Sequence, residues 1–158
     1  MIDVDNKKVI SINDYINKDD FDIFGNGPLV MLKEKGAGLK IDKNIPHIKV
    51  FEKNEIPPRF HYVNDNTLDY LLLADAGYMM DVNIQKKDAL SIVGMHGYDP
   101  DNEEMHGIFY AYGESFKKQL KIDSFELIHI YPLMCKILNI PEGDDIDGDF
   151  NIIKGILN

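Results

Sequence analysis

The run Met95-His96-Gly97-Tyr98-Asp99, with Gly94 before it and Pro100 after it, holds the residues best suited to chemistry. It places an imidazole between small, flexible neighbours just beyond an apolar stretch, and neutral imidazole is the commonest metal ligand. Gly94 and Gly97 free the backbone on both sides of His96. Asp99 stands close enough in sequence to orient the ring, as carboxylates commonly do for metal-bound histidines. One histidine is not a metal centre, because a catalytic zinc takes about three protein ligands.

The remaining histidines read as structural. His47 alternates with apolar neighbours and reads as a partly exposed strand residue. His61, between Phe60 and Tyr62, reads as packing. His106 precedes a glycine at the start of an apolar run and either supports a metal ligand or packs, packing being the favoured reading. His129 stands before a helix, which it caps or leaves for solvent. The lone Cys135, among Leu133, Met134, Ile137 and Leu138, excludes an internal disulfide and reads as a small buried hydrophobe. Asp144, Asp145, Asp147 and Asp149 tempt a calcium reading. Counted from Asp145, glycine falls fourth and Ile156 twelfth, whereas an EF-hand loop needs glycine sixth and glutamate twelfth. A solvated acidic turn fits better. There is no glycine-rich phosphate loop with lysine and no Gly-x-Ser-x-Gly elbow.

These residues need a scaffold, and 158 residues suffice for one domain, residues 1–158, that buries roughly 70% of its unfolded surface. Hydrophobic content of 44% and charged content of 28% are those of a globular chain. A net charge of −10 argues against nucleic acid and anionic membrane as partners. No apolar run approaches a membrane span, and no signal peptide is expected. Arg59 is the one arginine, and no function is read from it.

Short strands are expected at residues 9–12, 29–32, 47–51, 60–63 and 78–82, with residues 39–41 pairing back on 29–32 as a hairpin. Asn13 and Asp14 are expected to cap a turn of helix ending near Ile16. Residues 19–20 and 25–28 carry turn chemistry. The apolar run 68–74 leads into Asp75-Ala76-Gly77, a turn able to bring a carboxylate to a strand end. Residues 83–91 read as polar surface and 108–112 as a buried strand closed by Gly113. A helix should run from about residue 130 to Leu138, with Pro132 in its first turn. An acidic loop and a short helix over 150–157 end the chain. Short strands with few helices resemble the tail of a doubly wound domain.

The ordered series of motifs resembles the C-terminal part of the nucleotide pyrophosphatase/phosphodiesterase family, within the alkaline phosphatase superfamily. The matching residues are 94–99, then Met105 to Phe109, Tyr112-Gly113 before Phe116-Lys117, and Phe125-Glu126 leading to Tyr131, Pro132, Leu133, Met134 and Leu138. Earlier, Ile56-Pro57-Pro58-Arg59-Phe60-His61-Tyr62 looks like the family's Ile-Pro-x-Arg-x-His-Tyr, and residues 71–78 look like its apolar run ending Ala-Asp-x-Gly-aromatic. Glu114 departs from the family's usual proline, and the segment between Lys35 and His47 looks short of a helix.

The resemblance implies the C-terminal portion of an alkaline phosphatase-like α/β/α sandwich, with short strands and few helices. It implies a two-zinc hydrolase of phosphodiesters or pyrophosphates, in which His96 is one metal ligand. Met1 looks like the methionine of the family's Asp-His-Gly-Met motif. The nucleophile and the other five ligands are then expected outside residues 1–158, so zinc binding by this chain alone is expected to be weak or nil. The expected partners are a nucleotide or other phosphodiester substrate in the complete enzyme, and an N-terminal half or a second copy. The alternative is a non-catalytic module, or a split-chain subunit that completes an active site with another polypeptide. The resemblance favours an extracytoplasmic setting.

Overall fold

The structure, a computed structural model, describes residues 1–4, 8–82 and 94–158. They fall into two compact units, residues 1–107 and 108–158. The expected polar surface at 83–91 lies outside the described residues.

The first unit is built on a four-stranded antiparallel sheet. Its strands are β3 (Phe21–Asn26), β4 (Leu29–Glu34), β5 (Ile48–Glu52) and β6 (Tyr70–Ala74), in the order β3-β4-β6-β5. The apolar runs of β4 and β6 occupy the middle of this sheet, and every residue of β6 is buried. Strict alternation is therefore absent from β6, as in strands covered on both faces. Leu72 is fully buried and pairs with Val30 on one side and Val50 on the other. These join Leu32, Ile48, Tyr70, Ala74, Ile12 and Met80 in one core.

Two small ladders adjoin the sheet. The strand β2 (Val9–Ser11) pairs in parallel with β7 (Met79–Asp81), and β1 (Ile2–Asp3) pairs antiparallel with β8 (Gly94–Met95). Gly27 ties the sheet to β7: its N–H donates to the Met80 carbonyl at 2.9 Å, and the Met80 N–H donates back at 2.8 Å. Gly27 is the first residue of the two-residue β3–β4 loop, at φ 81°. A loop of that length favours positive φ there, which glycine adopts without steric cost.

Several expectations change. The partner of β4 is the preceding strand β3 and not residues 39–41, which are in no strand. Residues 60–63 form no strand; a 3-10 turn at Pro58–Phe60 stands there instead, followed by His61 at φ 46°. The turn of helix expected at Asn13 is a 3-10 turn, Ile12–Asp14. The strand β7 returns beside β2 and does not pair with β6. Residues 108–112 are in no strand.

The second unit centres on α1 (Ile130–Leu138), with Pro132 in its first turn. Asn139, at φ 53°, closes the helix, and the Ile140 N–H donates to the Cys135 carbonyl at 3.0 Å. Cys135 is buried, as expected. Leu133 packs with Ile153 of α2 (Phe150–Ile153) and with Ile156 of the 3-10 turn after it; Phe116, Phe125, Phe150 and Leu157 surround them. Gly148 closes tightly on this helix pair, since a Cβ there would lie 2.3 Å from the Ile128 carbonyl oxygen.

Candidate functional site

The loop carrying His96 is held at both ends. On its N-terminal side, β8 pairs Met95 with Ile2 and Gly94 with Asp3. Beyond the histidine, Gly97 adopts φ 91°, a conformation a side chain rarely tolerates, although a Cβ there would meet nothing within 4 Å. The turn at Gly97 then lets Tyr98 enter the core, where burial raises the pKa of its hydroxyl.

Asp99 fixes the loop laterally. Arg59 Nη1 and Nη2 donate to Asp99 Oδ1 and Oδ2 at 2.7 and 2.8 Å, the bidentate geometry specific to a guanidinium. Lys49 on β5 lies 3.7 Å from Oδ2, and the Asp101 N–H donates to Oδ1 at 3.1 Å. The Arg59 hydrogen bonds, more than any other influence, hold the Asp99 carboxyl below its ordinary range. The same pair raises the already high pKa of Arg59, whose guanidinium also lies 3.2 Å from Asp101 and over the Phe60 ring.

The loop then closes on itself. The Asn102 side chain accepts from the Glu104 N–H and starts the 3-10 turn Glu103–Met105. His106 Nε2 lies 3.2 Å from the Pro100 carbonyl. A carbonyl only accepts, so this ring nitrogen carries a hydrogen.

His96 is exposed, and among the described residues its ring has no hydrogen bond or ion pair. The Asp99 carboxylate is engaged by Arg59, and no hydrogen bond joins it to the imidazole. Among the described residues, no cluster of three histidine, cysteine or acidic side chains could enclose a metal ion. The residues present therefore do not make a complete metal site.

His61 and His106 are exposed and not packed as expected, whereas His47 and His129 serve the fold. His47, just before β5 at φ 60°, stacks on Tyr78 with ring centroids 3.8 Å apart, and its Nδ1 lies 3.3 Å from Asp75 Oδ2. The Asp75 turn does bring a carboxylate to a strand end, and the carboxylate meets His47 there. His129 is buried, and its Nδ1 accepts from the Asp149 N–H at 3.0 Å, which fastens the start of α2. The acidic residues Asp144, Asp145 and Asp147 are exposed. Arg59 is the residue that sequence reasoning passed over. Its signal was its uniqueness: one guanidinium in the chain, beside a Pro-Pro turn that fixes where it starts.

Comparison with known proteins places this loop in a wider frame. The family described as type I phosphodiesterase / nucleotide pyrophosphatase matches residues 1–99. The Xenopus laevis protein named bis(5'-adenosyl)-triphosphatase enpp4 is 33% identical over 166 residues, covering 99% of this chain and 35% of that one. Ectonucleotide pyrophosphatase/phosphodiesterase family member 7 of Mus musculus is 34% identical over 146 residues, covering 87% of this chain and 32% of that one. An inactive form of murine ectonucleotide pyrophosphatase/phosphodiesterase 5, solved in complex with AMP, superposes with a TM-score of 0.85 at 26% identity, over 99% of this chain and 42% of that one. The chain thus spans about a third of the length of the curated relatives it matches, in the fold of the corresponding part of the solved one. Its motifs, its fold and the span of the match agree: the chain belongs to the type I phosphodiesterase / nucleotide pyrophosphatase family.

Proposed function

We propose that this chain is the C-terminal portion of a zinc-dependent phosphodiester or pyrophosphate hydrolase, to which it contributes one metal-binding histidine, His96, and part of the sheet. The observation that carries this reading is the exposed imidazole, without a partner among the described residues, on a loop pinned by β8 and by the Arg59–Asp99 pair. A ligand that must meet a metal is served by such a clamp, because metal affinity depends on ligands held in place before the ion arrives.

In this reading His96 offers a ring nitrogen, and Asp99 serves it through the backbone, as the partner by which Arg59 immobilises the loop. Bound zinc would stabilise charge on phosphoryl oxygens. The nucleophile and the remaining ligands come from outside this chain. A nucleotide substrate is supported by the AMP held by the murine relative and by the bis(5'-adenosyl) triphosphate in the name of the Xenopus one. An extracytoplasmic setting accords with the family; no helix among the described residues is long and apolar enough to cross a membrane.

A second reading, a natural split-chain subunit, is favoured by the exposed apolar side chains of the 108–158 unit, Ile108, Tyr110, Tyr112 and Leu127 among them. One experiment serves both. The chain is fused or co-expressed with the part of the Xenopus relative N-terminal to the matched stretch, and hydrolysis of p-nitrophenyl-TMP is followed. The chain alone is expected to be inactive, the complemented protein active, and His96→Ala in it at least ~100-fold slower. Full activity in His96→Ala would refute the assignment.

A further inference from the structure

The turn Asp75-Ala76-Gly77-Tyr78, which follows β6, touches both flanks of His96. Gly77 is buried at φ 82°, and a Cβ there would lie 3.4 Å from the Asp3 carbonyl oxygen and 3.9 Å from Ile2 Cγ2. Ile2 and Asp3 form β1, the strand that pairs with Met95 and Gly94 just before the histidine. On the other flank, Tyr98 is 5% exposed, and the Gly77 N–H is the backbone group that reaches its hydroxyl. Among the described residues, that hydroxyl has no fully formed hydrogen bond, and the Gly77 N–H enters no backbone–backbone one. Buried polar groups are costly when left unsatisfied, so closing on one another is favourable for both.

The turn is itself tied to the sheet. The Tyr78 N–H donates to the Asp75 carbonyl at 2.9 Å, and the Asp75 N–H donates to the His47 carbonyl at 2.8 Å. The His47 ring stacks on Tyr78 and meets the Asp75 carboxylate, and the Lys8 ammonium lies 5.4 Å from the centre of the Tyr78 ring. We propose that Gly77 and Tyr98 are positioning residues for His96: the turn after β6 seats the loop that bears the imidazole and ties it to the four-stranded sheet. The proposal rests on the reading above, that His96 is a metal ligand, and adds what fixes it. The Arg59–Asp99 pair clamps the loop at one point, and Gly77 supports it through β1 before the histidine and through Tyr98 after it. Groups behind a metal ligand raise its affinity by confining the ring before the ion arrives.

The test compares Tyr98→Phe with Tyr70→Phe. Tyr70 is equally buried, its hydroxyl donates to the Leu39 carbonyl at 2.7 Å, and it stands at the opposite end of β6 from the turn. Amide hydrogen exchange on the metal-free 158-residue chain reads the seat: amides 94–98 should exchange ~3- to 10-fold faster in Tyr98→Phe and no faster in Tyr70→Phe. Gly77→Ala, strained at φ 82°, should accelerate the same amides. Zinc titration of the complemented protein reads the consequence. Tyr98→Phe should weaken zinc binding ~10-fold and recover its turnover at saturating zinc, while Tyr70→Phe binds zinc as the parent does. Unchanged exchange at 94–98 in Tyr98→Phe, equal acceleration in Tyr70→Phe, or faster exchange with unaltered zinc affinity would each overturn the proposal. His96→Ala separates the two claims. Full zinc affinity in that variant would refute the metal assignment alone, and the metal-free exchange would still decide whether Gly77 and Tyr98 seat the loop.

Discussion

Arg59 and Asp99 stand 40 residues apart and are joined by two short charge-assisted hydrogen bonds. Such a pair is worth more than a single-contact surface ion pair because its geometry is fixed, though partial solvent access limits it to about 1 kcal/mol. Its pH dependence follows from Asp99, whose carboxyl Arg59 holds below the ordinary value. A depressed folded pKa means that the stabilisation is complete above the unfolded value of about 3.9 and is lost as pH falls through the lower folded one. Asp99→Asn should therefore lower the urea midpoint at pH 7 and flatten the acid-side loss of stability below about pH 4. Unchanged midpoints at both pH values would show that the pair does not hold the loop. Here too lies the boundary of what was legible. The setting of His96 is local, two glycines and an aspartate within a few residues, and could be read directly. The clamp is a long-range pairing without periodicity, and Asp99 was assigned to the imidazole because sequence proximity was the only guide.

At the scale of elements, the continuous apolar runs of β4 and β6, the alternating β5, the short β2 and β7 and the helix α1 lie where the sequence places them. Burial on both faces makes the run of β6 conspicuous. The strand β3 (Phe21–Asn26) was missed because Phe21 is its one fully buried residue and Gly25 and Asn26 carry turn chemistry. Residues 108–112 have the composition of a buried strand but form none, because composition carries no information on pairing. The central position of β6 sets a prediction. Leu72→Ala removes a fully buried side chain between Val30 and Val50 and should cost about 2–5 kcal/mol, read from chemical denaturation. Gly148→Ala tests the second unit by the opposite means: with the Ile128 carbonyl in the path of its Cβ, overpacking should cost about 1–3 kcal/mol. A neutral effect at Gly148 would mean that α1 and α2 are not closely held.

At the scale of the whole molecule, the chain represents 35% of its Xenopus relative and 42% of the murine one. The proposed function assigns one ligand, His96, to the described residues and the remaining ligands to a larger body. The zinc content of the complemented protein tests this most directly, by native mass spectrometry of parent, His96→Ala and His106→Ala. The account predicts two zinc ions in the parent and in His106→Ala, fewer in His96→Ala, and none retained by the 158-residue chain alone. Two zinc ions retained by His96→Ala, or tight zinc binding by the isolated chain that His96→Ala abolishes, would contradict it.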